Sequence, residues 1–163
     1  MAEASEIKVT VTGAVVGFTY MQNYQKERIF GVKDPNLYLV PTYQMNLEWI
    51  QDGKWHLCTY EVIRFGPGYN ENKTTGTLVL SNSGLKNEQG YDLAAWDPTY
   101  TTQENERGAW QVIKDKDYLI HDGPDNTRTR PKTAEGGGSA SGCIEVCGKG
   151  RWEDFRNRLL ELT

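Results

Sequence analysis

The sequence has few cysteines, and their number and spacing argue against disulfide bonds. Three cysteines among 163 residues cannot all pair within one chain. Cys143 and Cys147 are four residues apart, which on one strand places both on the same face but too far apart for an easy disulfide. We therefore expect free thiols.

The chain also has little excess charge and no long apolar run. A net charge of −4 is not typical of a nucleic-acid-binding surface, so no nucleic-acid partner is expected. No apolar stretch approaches the roughly 20 residues that a membrane-spanning helix needs, and no membrane association is expected. Residues 1–6 carry no basic region followed by an apolar run, so we expect either no signal peptide or a leader already removed.

Metal and cofactor sites are not expected either. A zinc site on Cys143, Cys147 and His121 would need further ligands, and the chain has no second cysteine pair. His56 and Cys58 alternate onto one strand face, a spacing that some metal sites use. They too lack a second ligand pair, so core packing or surface exposure is the preferred interpretation for both.

Alternating and β-rich segments predict a single, mainly β domain over residues 1–163. The Asp52-Gly53 pair predicts a hairpin, because both turn positions tolerate positive φ. Polar composition predicts mostly loop from about 81 to 107, and a loop over 122–142 that could flex over a site. The predicted strands cover 7–12, 37–40, 45–50, 54–63, 77–80, 109–113 and 118–121.

One C-terminal helix completes the predicted fold. Trp152, Phe155, Leu159 and Leu162 recur at helical spacing, and acidic residues occupy the first turn, where the helix dipole favours them. No repeat or domain linker is visible. The sequence therefore predicts a single β-rich domain closed by one helix.

A histidine and a cysteine in the last third of the chain are the candidate chemical groups. His121 ends a short apolar strand, and Cys143 begins another after a turn of small residues. A cysteine acts as a nucleophile when an imidazole takes its proton and main-chain N–H groups await the oxyanion. Trp110 and Tyr118 are expected to pack in the core or to line the cleft. The pattern indicates a thiol acyl-transfer enzyme that needs no metal or organic cofactor.

His121, a glycine-rich loop and then Ser-x-x-Gly-Cys-Ile resemble the L,D-transpeptidase (YkuD-like) catalytic domain over residues 110–163. That family usually has a His, a variable loop, then Ser/Thr-His-Gly-Cys, an aliphatic residue and Arg. Residues 1–108 show only compatible β character. The resemblance implies a β-sandwich-like YkuD-type domain with Cys143 as nucleophile and His121 as base. Gly142 and Cys143 would supply oxyanion N–H donors.

Two positions depart from the family pattern. Ser141 stands where the family has a histidine of the site wall, and Glu145 stands where it has arginine. Glu145 should share a strand face with Cys143, as a solvated carboxylate or as a neighbour that raises the thiol pKa. Arg128, Arg130 or Lys132 could compensate in binding a substrate carboxylate, or could simply be solvated. Asp122 is either a turn cap or the group that orients His121.

The resemblance implies acyl transfer on bacterial peptidoglycan stem peptides, as an L,D-carboxypeptidase, an L,D-transpeptidase or a D-amino-acid exchange enzyme. The variant with Ser141 directly before Gly-Cys also looks like a branch of type VI secretion toxins, which would act in the periplasm of a target cell or at the cell wall after export from the bacterial cytoplasm. An immunity protein would then be a partner. Two alternatives remain: a catalytically inactive YkuD-like binding module for wall fragments or a protein, and a cysteine hydrolase of ordinary peptides.

Overall fold

A computed structural model describes most of the chain, and every structural statement concerns the described residues. These are residues 3–23, 26–27, 30–64, 67–69, 78–80, 89–101, 107–112, 118–134, 137–138 and 143–163.

The strands form one eight-stranded sheet, curled into a half-barrel, and a separate two-stranded sheet. In the large sheet the order is β6-β1-β2-β3-β10-β9-β8-β7, while β4 pairs with β5. The predicted mainly β fold with one C-terminal helix is confirmed. The elements are β1 (Ser5–Gln22), β2 (Leu37–Gln51), β3 (Lys54–Ile63), β4 (Pro67–Tyr69), β5 (Leu78–Leu80), β6 (Gln89–Tyr91), β7 (Leu93–Thr101), β8 (Arg107–Val112), β9 (Leu119–Asp122), β10 (Ile144–Val146) and α1 (Arg151–Leu162).

The β2–β3 hairpin has the predicted turn. Asp52 and Gly53 have φ values of 53° and 72°, the left-handed conformation that both central positions of a type I′ turn require. The prediction of two strands over 37–40 and 45–50 was wrong, because β2 continues through Pro41. Pairing with β3 begins only at Tyr43. The missing N–H of Pro41 therefore costs no hydrogen bond to β3.

The predicted loop over 81–107 was wrong for the part that is described, where β6 and β7 form. Leu93 and Trp96 of β7 pack against the main core. The pairing of β7 with β8 is irregular between Leu93 and Ala95 and again between Asp97 and Thr101. These irregularities interrupt the alternation of apolar and polar residues by which a strand is predicted from sequence, so β7 was predicted as a loop. Residues 81–88 and 102–106 lie outside the described part of the chain.

The two faces of the large sheet carry different residues. On the helix face, Met45, Val62, Ile120 and Val146 belong to the main hydrophobic core together with the buried side of α1. Side chains alternate along a strand, so the neighbours of these residues point to the opposite face. We call it the site face, and it includes Thr42, Ile63, His121, Glu145 and Cys147.

Helix α1 confirms the C-terminal prediction. Trp152, Phe155 and Leu159 are buried against the sheet, and Leu162 packs at the edge of the same core. The Tyr60 hydroxyl on β3 donates a 2.7 Å hydrogen bond to Asp154, which ties the first turn of the helix to the sheet. None of the described helices is long and apolar enough to cross a membrane.

Candidate functional site

Parallel pairing of β9 with β10 places the strand of the candidate histidine beside the strand that follows the candidate cysteine. The ladder places Ile144 beside Ile120 and Glu145 beside His121. Partners in a parallel ladder point to the same face, so Glu145 and His121 share the site face. Cys143 immediately precedes β10, two residues before Glu145, and Glu145 is close enough for its charge to act on the thiol.

His121 is held in one tautomer. Its ring is 5% exposed, and Nδ1 lies 2.8 Å from the main-chain oxygen of Asp122. A carbonyl oxygen can only accept, so Nδ1 carries the proton and Nε2 keeps its lone pair. Burial lowers the pKa of His121, and the hydrogen bond to Asp122 opposes this only in part. His121 is therefore a neutral imidazole with a basic Nε2 at neutral pH.

Asp122 orients His121 through its main chain. The atom that accepts the hydrogen bond from His121 Nδ1 is the main-chain carbonyl oxygen of Asp122. Asp122 pairs with Val146, a residue of the helix-face core, so its buried side chain points away from the site face. Of the two roles expected for Asp122, orientation of the imidazole has a structural basis in its main-chain carbonyl oxygen.

Cys143 is a partly exposed thiol, and its surroundings favour the protonated form. Burial raises the pKa of Cys143, a backbone hydrogen bond with Leu119 lowers it, and the nearby Glu145 carboxylate raises it further. The effect of Glu145 has the direction expected from the sequence. In the resting site Cys143 is therefore a thiol and His121 a neutral imidazole, and neither group is charged.

Tyr100 on β7 is a residue of the site that the sequence prediction missed. Its ring centroid lies 5.4 Å from that of His121, with the planes tilted by 39°. Burial raises the pKa of Tyr100, and the charges of Cys143 and Glu145 raise it further. One cluster on the site face therefore holds Tyr100, His121, Cys143 and Glu145. A prediction of a strand over 93–101, where the sequence analysis expected a loop, could have indicated that Tyr100 lies near the site.

Glu145 is buried, contrary to the expectation of a solvated carboxylate. It is 4% exposed. A Cβ atom on Gly138 would lie 2.9 Å from Glu145 Oε2 and 2.7 Å from Ile63 Cδ1, so the main chain of Gly138 closely covers the carboxylate. Burial of Glu145 results because Gly138 lies over the site face at this point.

The loop that was expected to flex over the site is tied to β1 where it is described. Gly138 donates a 3.0 Å hydrogen bond to Tyr20 and accepts one of 2.9 Å from the Gln22 main chain. Arg128 forms a 2.8 Å ion pair with Glu61 and also donates to the Phe18 carbonyl oxygen. These contacts hold the loop against the first strand.

The basic residues of the loop lie beside β1. Arg128 packs over the ring of Phe18, and Arg130 lies 5.9 Å from the centroid of Tyr20. Lys132 is exposed. Each arginine contacts β1, and none of these contacts includes the cluster around His121. A role for Arg128 or Arg130 in binding a substrate carboxylate stays a prediction.

The remaining predicted site residues are spread over different places. Trp110 pairs with Ile120 in the helix-face core and lies 5.5 Å from the Trp96 ring, on the side of the sheet away from His121. It lines a cavity of about 250 Å³ there. Tyr118 immediately precedes β9, is half-buried and accepts a hydrogen bond from the Val112 N–H. Ser141 and Gly142 lie outside the described residues, so their predicted roles are not placed.

The three cysteines are free, as expected, and two of them have structural surroundings. Cys147 is buried in a small cluster with Met21, Val40 and Ile63, and burial raises its pKa. Cys58 packs against the main core. Within the described residues no group of three or more His, Cys, Asp or Glu side chains is arranged to hold a metal ion.

Comparisons with protein-family models, curated proteins and solved structures find no match to this chain. The functional proposal therefore depends on the residues and their geometry. A thiol and an oriented neutral imidazole that meet in one cluster can perform general-base-assisted nucleophilic attack on a carbonyl.

The burial of His121 leads to a prediction about pH and stability. The unfolded chain binds a proton near the ordinary histidine value of 6.5, whereas the lowered pKa of buried His121 delays protonation in the folded chain. The free energy of unfolding should therefore fall as the pH drops below 6.5. Urea unfolding at pH 7.5 and 5.0 should show a smaller loss for His121→Asn than for the wild type. His56→Asn is the matched control, and an equal loss in all three proteins would contradict the prediction.

Proposed function

We propose that this protein is a cysteine-dependent acyl-transfer enzyme that acts on peptidoglycan stem peptides. The reaction would be that of an L,D-carboxypeptidase, an L,D-transpeptidase or a D-amino-acid exchange enzyme. The observation that carries the proposal is the β9–β10 pairing, which sets an oriented His121 directly beside Glu145, two residues after Cys143. The choice of substrate rests on the sequence resemblance over 110–163.

In the proposed acylation, Cys143 Sγ attacks the carbonyl of an L-to-D peptide bond while His121 Nε2 takes the thiol proton. The tetrahedral intermediate collapses, the C–N bond breaks, and the imidazolium gives its proton to the leaving amine. A thioester on Cys143 and a free D-amino acid result. The main-chain N–H groups of Gly142 and Cys143 would hold the oxyanion, as the resemblance implies.

Deacylation determines which product forms. With His121 again as base, attack by water releases a trimmed stem peptide. Attack by the amine of a D-amino acid exchanges the terminal residue, and attack by the amine of another stem peptide makes a cross-link. All three reactions need the same two side chains. Export as an antibacterial toxin, with an immunity protein as partner, is part of the proposal and rests on the resemblance of the variant with Ser141 directly before Gly-Cys.

The substrate proposal can be tested with a diaminopimelate-containing muropeptide that ends in D-alanine, with and without added D-methionine. We expect loss of D-alanine in water and its replacement by D-methionine when that amino acid is present. Mass spectrometry of the fragments and of the intact protein measures both products and any acyl adduct on Cys143. Neither product and no adduct, together with cleavage of ordinary peptides, would indicate a general cysteine hydrolase instead.

A catalytically inactive binding module is the second candidate, and one observation favours it. The raised pKa of Cys143, to which burial and Glu145 both contribute, reduces the fraction of reactive thiolate. Binding of an intact muropeptide by calorimetry, without turnover or an adduct, would support that alternative.

A further inference from the structure

The geometry points to Glu145 as a positioning residue: it is the direct ladder partner of His121 on the site face, and its carboxylate would stabilise the imidazolium that forms when Cys143 gives up its proton. This inference rests on the proposed function and deepens it. The sequence resemblance does not supply it, because the family has arginine at this position. Glu145 would act through His121 and would not touch the substrate.

The register of the sheet places the two side chains together. Glu145 and His121 are direct partners in the parallel ladder, on the same face, and they are 4% and 5% exposed. Neighbouring strands lie about 4.8 Å apart, so two directly paired side chains leave the sheet at about that separation. Water is largely excluded from both groups, so a charge on one acts strongly on the other.

The other groups described around His121 are uncharged, exposed or paired elsewhere, so Glu145 is the candidate for stabilising the imidazolium. Nδ1 is occupied by the Asp122 carbonyl oxygen, which orients the ring but carries no full charge. Tyr100 approaches from β7 and Cys143 from β10, and both are neutral in the resting site. Asp97 of β7 is exposed and accepts a hydrogen bond from the Thr99 main chain, and Glu61 of β3 is paired with Arg128. On β8 the described site-face residue beside Leu119 is Gln111, which is uncharged.

Glu145 would therefore have opposite effects on the resting thiol and on the transition state. In the resting site its negative charge disfavours the thiolate and keeps Cys143 protonated. During acylation the proton moves to His121, and the same charge then stabilises the imidazolium. No charge leaves or enters the site in this step. Because the resting thiol is protonated, it reacts slowly with electrophiles other than the bound substrate. It becomes nucleophilic when its proton moves to His121.

The substitution Glu145→Gln tests this role with two measurements of opposite sign. The kcat for D-alanine release should fall about tenfold or more, where tenfold corresponds to about 1.4 kcal/mol of lost transition-state stabilisation. KM should stay unchanged, because the buried carboxylate does not reach the substrate. The alkylation rate of Cys143 by iodoacetamide at pH 7, read by peptide mass mapping, should rise roughly threefold because more thiolate is present.

The outcomes separate this role from simpler ones. If both rates fall, Glu145 only supports the fold; if both rise, or if kcat does not change, it only sets the thiol pKa, and either result overturns the inference. Glu153→Gln, which removes a carboxylate from the first turn of α1 on the opposite side of the sheet, is the control and should change neither rate by more than about twofold, as for a charge outside the cluster.

A third measurement does not need turnover. NMR titration of the His121 imidazole should show a lower pKa in Glu145→Gln than in the wild type, because the carboxylate that favours the charged ring is gone. An unchanged pKa would overturn the role of Glu145. If the wild type turns over no muropeptide while this titration behaves as expected, the proposed function fails and the Glu145–His121 interaction stands.

Discussion

Cys143→Ala is expected to abolish muropeptide turnover while the fold is retained. Removal of a nucleophile costs at least about a thousandfold in kcat when the reaction passes through a covalent intermediate. Cys143 is only partly exposed but precedes β10, so the substitution leaves the β9–β10 ladder intact. Release of D-alanine, followed by mass spectrometry, measures the loss, and circular dichroism checks the fold.

Cys58→Ala provides the matched control for Cys143→Ala. Cys58 is also a free, partly exposed cysteine, but it lies on β3 and packs against the main core away from His121. Its variant should keep turnover within about threefold of the wild type, as expected for a substitution outside the site. Full activity in Cys143→Ala would show that the thiol is not the nucleophile and would remove the basis of the proposed function.

Trp152→Ala is expected to produce the largest loss of stability. The Trp152 side chain is fully buried, with the Trp96 ring centroid 6.3 Å away on one side and Phe155 at 5.9 Å in the same helix. Truncating a buried tryptophan to alanine typically costs about 3–5 kcal/mol, from lost burial and the cavity that remains. Since α1 covers the helix face of the sheet, its docking should weaken. Urea unfolding monitored by circular dichroism measures the effect.

Leu160→Ala is the control on the same helix. Leu160 is 43% exposed, so its truncation should cost less than about 1 kcal/mol. A loss of under about 1 kcal/mol in Trp152→Ala, equal to that of Leu160→Ala, would mean that the helix does not close the core as the structure indicates.

Short-range patterns in the sequence predicted several elements correctly. The Asp52-Gly53 turn formed because its two positive φ values depend only on the two residues and the strands beside them. The C-terminal helix was predicted from the spacing of Trp152, Phe155 and Leu159, which places their side chains on one buried face. In both cases the signal is local, since the residues that determine the structure are within a few positions of each other.

Long-range pairing was harder to predict. The continuous β2 depends on where β3 stops pairing near Pro41, and β7 with Tyr100 depends on its contact with β8. Taken alone, β2 contains a proline and β7 has an irregular alternation, and each feature resembles the end of a strand. Tyr100 was therefore missed as a neighbour of His121.

The sequence by itself determined the residue types of the candidate site, a histidine that ends one apolar strand and a cysteine that begins the next. Only the tertiary structure decided that these strands are parallel neighbours, with β10 between β3 and β9. That order buries Glu145 beside His121 and places the Asp122 carbonyl oxygen on Nδ1. The physical reason is that protonation depends on burial and on nearby charges, which the folded chain brings together from distant positions.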